Sequence, residues 1–141
     1  RQVMKPGQER VNEYTIKLPD SDGPVGDQLS QRDGQVTPAK ENWQGKTIKR
    51  SFKKDGTLKT ALQAHAKNEG VELIWDLKYD YVIKQHFAES SNLRSLASKI
   101  STVVNHDYEG EVKAYFCKDA NALVITDKSD EYIQKSCVNA K

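Results

Sequence analysis

The residue types that most often carry chemistry are thinly spread along this chain of 141 residues. Three histidines, His65, His86 and His106, and two cysteines, Cys117 and Cys137, are the obvious candidates. A catalytic centre needs a nucleophile, base or metal held in mutual reach. His65 falls on the apolar stripe of a predicted helix and reads as a packed histidine. His86 follows a predicted strand, and His106 ends a helix, where its cationic form favours the C-terminal dipole. None has a partner by spacing. Cys117 with any histidine would make a thiol nucleophile, but no flanking pattern supports it. There is no CxxC pair or Cys/His cluster of metal spacing, so no structural zinc is expected. The glycines form neither GxGxxG nor a phosphate-binding loop. The carboxylate pairs Asp127/Asp130 and Glu109/Glu111 fall in turns and read as solvated charges. No catalytic, cofactor or metal site is expected, and the chain is not expected to be an enzyme.

The cysteines leave two readings open. Either both are free thiols, one on a strand and one in a tail, or they form a bridge. A bridge would close a loop of about 20 residues and contribute roughly 3 kcal/mol on the chain-entropy model. The bridge is preferred, because it would fix an otherwise weakly anchored C-terminal segment. It would also imply an oxidising compartment.

Basic residues beside an aromatic raise nucleic acid as a partner class. Lys46, Lys49, Arg50, Lys53 and Lys54 flank Phe52, and a basic strand with an aromatic suits single strands. The net charge is only +2, however, and lysines on an edge strand also deter aggregation. The solvated edge strand is the better reading. No apolar run approaches the roughly 20 residues that span a bilayer. The chain opens at Arg1, which reads as a processed chain or a fragment.

The elements that would position these residues centre on residues 57–83. Leu58, Ala61, Leu62, His65 and Ala66 recur at helical spacing. Asp55 or Thr57 can cap that helix, and Gly70 suits its left-handed C′ position. Val71, Leu73 and Trp75 alternate with Glu72, Ile74 and Asp76 as a strand. Lys78 and Asp80 bracket a turn, and Tyr81 and Ile83 share a face of the next strand. Ile48 and Phe52 anchor a strand before the helix. A second helix starts at Ser90, Ser91 or Asn92, carries Leu93, Leu96, Ala97, Ile100 and Val104, and stops at Asn105 or His106. Val112, Ala114 and Phe116 mark a strand, and Leu123 and Ile125 a closing one.

The order is β-α-β-β-α-β-β, an α+β domain with two helices covering small sheets. Charged residues make up 30% and the mean hydropathy is −0.79, so part of the chain is expected outside the core. Residues 1–42 hold all four prolines (Pro6, Pro19, Pro24, Pro38) together with Gly7, Gly23, Gly26 and Gly34. They read as a flexible polar arm or linker, with residues 14–18 able to add to a partner's sheet edge. The α+β domain spans 43–127. Residues 128–141 read as a tail, with a short helix through Tyr132 and Ile133 or a tie at Cys137.

At this level the residues resemble a family. The run Gly56-Thr57-Leu58-Lys59-Thr60-Ala61-Leu62, then His65-Ala66, Gly70-Val71-Glu72-Leu73-Ile74-Trp75 and Asp80-Tyr81-Val82-Ile83, resembles the C-terminal domain of the toxin-coregulated pilus biosynthesis protein Q. Ala114-Tyr115 and Asn121-Ala122-Leu123-Val124-Ile125 resemble its closing hairpin. His65 departs from it, standing where a large aromatic is expected. The resemblance implies a fold similar to the N-terminal domain of secretins and the signalling domain of TonB-dependent receptors. It implies a periplasmic, non-catalytic interaction module of a type IV pilus or related secretion machine. The implied partner is a secretin or a companion assembly subunit at the outer membrane. The alternatives are a signalling domain relaying transporter occupancy, or a cell-wall-binding domain. Candidate partner-binding residues are Ile48, Phe52, Trp75, Tyr79, Tyr81 and Tyr115, with Trp75 read as core first. Residues 47–52 or 79–83 are the candidate free strand edges. Neither nucleic acid nor a membrane span is expected.

Overall fold

A computed structural model describes residues 9–19 and 23–141. The chain begins with a hairpin, β1 (Glu9–Arg10) and β2 (Thr15–Lys17), followed by a short helix, α1 (Val25–Ser30). Next come β3 (Ile48–Phe52), α2 (Leu58–Lys67), β4 (Glu72–Asp76), β5 (Tyr79–Tyr81), β6 (Phe87–Ser91) and α3 (Leu93–Asn105). β7 (Lys113–Cys117), β8 (Ala122–Thr126), α4 (Glu131–Ser136) and β9 (Val138–Asn139) complete it. The fold is α+β, as expected.

Local chemistry sets the helix limits. The Thr57 hydroxyl accepts from the Thr60 N–H at 3.2 Å, so Thr57 and not Asp55 caps α2. At the other end, Gly70 N–H bonds Lys67 O at 3.0 Å and Val71 N–H bonds Ala66 O at 3.1 Å. Gly70 has φ +74°, which completes a Schellman ending. Asn92 caps α3, accepting from the Ser95 N–H at 2.8 Å.

A four-stranded sheet, ordered β4-β8-β7-β9, forms the centre, with β4 parallel to β8 and the other pairs antiparallel. α2 packs on β4, and α3 on β7 and β8. Leu62, Ala66, Leu73, Trp75, Leu96, Ile100, Phe116, Leu123 and Ile125 belong to the main core. A second cluster covers the other face, where Val25 and Leu29 of α1 and Ile133 of α4 meet Cys117, Ala122 and Val124. Covered on both faces, all five β8 residues are buried, which suits the continuous apolar run Ala122–Ile125. The two cysteines form a disulfide, Cys117–Cys137.

Three expectations need correction. Residues 23–42 are not an appendage: Val25 and Leu29 are fully buried against α4 and the sheet. The arm's strand at residues 15–17 also folds back onto β5 in the same chain. Two short pieces of the expected arm, residues 1–8 and 20–22, lie outside the described residues. Second, Asp80 is a buried strand residue rather than a turn residue. Its carboxylate accepts from the N–H groups of Lys59 at 3.1 Å and Tyr81 at 2.7 Å. Third, a strand is added to the expected order, because β6 pairs antiparallel with β3 from Ile48↔Ser91 to Phe52↔Phe87.

Candidate partner-binding groove

Five elements leave an open groove of about 950 Å³ between them. Its floor is apolar. α3 places Ile100, Val103 and Val104 along it, since residues three and four apart share a helix face. Ile83 and Phe87 come from the chain around β6, and Tyr79 and Tyr81 from β5. The turn between β1 and β2, with Val11 and Tyr14, makes one wall. Val103 and Val11 are each 55% exposed, so two aliphatic side chains face solvent here. The rim mixes signs: Lys78, Lys84 and Lys99 against Glu13, Glu89, Asp107 and Glu109. Lys99 pairs with Glu89 across it, and Lys84 lies 4.4 Å from the Tyr14 ring centre.

Two tyrosines stiffen the lower end. Tyr79 meets Tyr108 edge-on at 6.0 Å between ring centres. The Tyr108 hydroxyl donates to Asp127 Oδ2 at 2.9 Å and accepts from the Lys78 N–H at 3.2 Å. Burial, then the bond to Asp127, pushes the Tyr108 phenol well above its ordinary value. Burial, aided by the Asp107 charge, pushes Tyr81 up to about 12. Both rings are therefore neutral near pH 7 and present apolar surface with a donor.

The structure scatters the candidate contact residues. Tyr79 and Tyr81 line the groove. Ile48 is 48% exposed at the start of β3 and away from the groove's lining. Phe52 is no surface residue: it is fully buried and stacked on Phe87 at 4.6 Å. Trp75 is likewise core, with its Nε1–H donating to Tyr79 O at 2.8 Å. Tyr115 packs against the second cluster. The expected edge at residues 79–83 is occupied, since Leu18 N–H bonds Lys78 O and Val82 N–H bonds Tyr14 O, both at 2.8 Å. The β3–β6 ribbon has no third strand among the described residues, although His65 Nε2 lies 2.9 Å from Ser51 O.

Sequence reasoning missed Val103, Phe87 and Tyr108. Val103 alone carried a signal, as an aliphatic residue at the margin of the stripe of α3. Among the described residues no three His, Cys, Asp or Glu side chains could share a metal ion. His65 packs edge-on against Phe52 at 5.3 Å, filling the place expected for an aromatic.

Fold and groove together define a small α+β domain with an apolar cleft beside paired strand edges. The family model for toxin co-regulated pilus biosynthesis protein Q matches residues 50–128, more than half of the chain, and the chain belongs to that family. It is thus a pilus-biosynthesis-related protein. Among curated proteins and among solved structures, nothing matches it. No helix of the described residues is long and apolar enough to cross a membrane, which is compatible with an envelope location.

Proposed function

We propose that the chain is a non-catalytic docking module of a type IV pilus or related secretion machine. It works in the periplasm, beside an outer-membrane complex, and its partner is a secretin or a companion assembly subunit. The observation that carries this is the groove: 55% exposed Val103 on an apolar floor, in a family concerned with pilus biosynthesis. Covering exposed aliphatic surface drives association at about 25 cal/mol per Å² before the costs of binding. The Cys117–Cys137 bridge supports an oxidising compartment. The likeness to secretin N-terminal domains belongs to the same proposal.

The test is co-purification of the full chain from its native envelope, with partners identified by mass spectrometry. Val103→Glu should lose the partner while leaving the melting temperature nearly unchanged, since Val103 supports little core. Equal recovery with the variant would move the surface elsewhere. Recovery of no envelope protein with the parent chain would sink the docking reading.

A further inference from the structure

We propose that the β5 edge is a strand-acceptor site for an extended segment of a partner protein, and that β2 holds that place in the free chain. β2 joins β5 as an added strand would, through Thr15↔Tyr81, Ile16↔Asp80 and Lys17↔Tyr79. The ladder runs on at both ends, through Tyr14 with Val82 and Leu18 with Lys78. Main-chain pairing at an edge, with pockets for alternate side chains, is a general way to recognise extended peptides.

The present occupant shows what the site accepts. Antiparallel pairs alternate between hydrogen-bonded and open, so the bonds at Tyr14/Val82 and Leu18/Lys78 make Ile16/Asp80 a bonded pair as well. An incoming strand therefore needs N–H groups, not proline, at the positions of Ile16 and Leu18. Ile16 is buried while Lys17 is exposed. The site thus selects an aliphatic side chain at the Ile16 position and tolerates polar neighbours.

β2 also fills the site poorly. It is three residues long and only Ile16 among them is buried. The groove beside it stays open, with Val103 and the hairpin's own Val11 exposed. A longer strand with apolar residues at alternate positions would keep the main-chain bonds and cover this surface too, which favours exchange. The inference rests on the docking reading and names the chemistry of its partner.

The test uses the full chain and a labelled peptide with the sequence of residues 9–18. Lys17 and Tyr79 face each other in an open pair, the geometry a cross-strand disulfide fits. Oxidised Lys17→Cys/Tyr79→Cys should not bind the peptide, whereas the Lys17→Cys parent should bind it fully and the Tyr79→Cys parent, short of one groove-lining ring, should keep measurable binding. Ile16→Pro, which releases β2, should bind it roughly tenfold or more tightly than the parent chain, because internal competition lowers apparent affinity. The Val82 amide should exchange faster in that variant and slow again with peptide. Binding by the locked chain equal to its parents, or none by a released edge, would overturn the proposal. If Ile16→Pro fails to fold, the locked and single-cysteine chains decide alone. A dimer of the parent chain built by swapping β2 would make a second copy the occupant and overturn the choice of a partner protein. Should the lock leave envelope partners bound, docking survives and only the strand-acceptor site falls.

Discussion

The Asp130 carboxylate reaches Gly26 across the sequence, with Oδ2 accepting the Gly26 N–H at 2.6 Å. Its other oxygen accepts the N–H of Ile133 at 3.1 Å and caps α4. One side chain thus satisfies the first turns of two helices, and it locks α1 and α4 onto the second face of the sheet. Gly26 is required by contact: a Cβ there would fall against the Asp130 carboxylate. Asp130→Ala should cost about 2–3 kcal/mol, a lost cap plus an orphaned part-buried N–H. Gly26→Ala should cost less, and the double variant should show coupling of at least ~0.5 kcal/mol in urea denaturation. Strict additivity would mean that the two residues do not act through one bond.

Gly70 isolates backbone strain from packing. It has φ +74°, and an added Cβ would meet nothing within 4 Å. The penalty for Gly70→Ala is then conformational alone, about 1 kcal/mol, and Gly70→Val should cost somewhat more. Thermal unfolding of the two variants measures this directly. An unchanged melting temperature for both would show that α2 does not need its left-handed ending.

These two glycines mark what could be read from the chain and what could not. Gly70 ends a periodic stripe of apolar residues, so helix, stop and the strand through Leu73 and Trp75 were legible from local pattern. α3 and β7 were legible for the same reason. Gly26 sits in a segment whose composition, rich in proline, glycine and polar residues, argues for a linker. Its order comes from α4, about a hundred residues away, and no local pattern reports such a contact. β6 was hidden because Phe-Ala-Glu-Ser-Ser has weak strand propensity and gains its place only by pairing with β3. The groove has no motif at all. Its lining is gathered from separate elements by tertiary packing, and of the contact candidates named from sequence only Tyr79 and Tyr81 fall in it.

The disulfide ties the end of α4 to β7 across a sequence separation of 20. Replacing both cysteines by alanine should destabilise the chain by about 3 kcal/mol if loop closure dominates. The loss should be local in part. Arg94 donates to Ala140 O at 2.7 Å and to Asn139 O at 3.0 Å, so β9 retains an anchor without the bridge. Hydrogen exchange should therefore rise most in α4 and least in β4. Uniform acceleration would show that the bridge supports the whole sheet rather than its C-terminal side.

Two buried aspartates, Asp76 and Asp80, should shape the acid limb of the chain's stability. Burial is the main cause that raises both Asp76 and Asp80 above the ordinary 3.8, against the bond that Thr126 donates to Asp76 at 2.6 Å. In the folded chain these groups keep their protons to higher pH than in the unfolded one. Between 3.8 and each raised value the folded state binds more protons, so stability falls as pH rises. Their contribution is fully present below 3.8 and is lost above the folded values. Asp76→Asn keeps an acceptor for the Thr126 hydroxyl and removes one titration. Urea denaturation across the acid range should show the parent chain gaining stability relative to this variant as pH falls through that window, then levelling off. A difference that stays flat, or that grows as pH rises, would mean that the low dielectric around Asp76 is offset by Thr126 and Lys128.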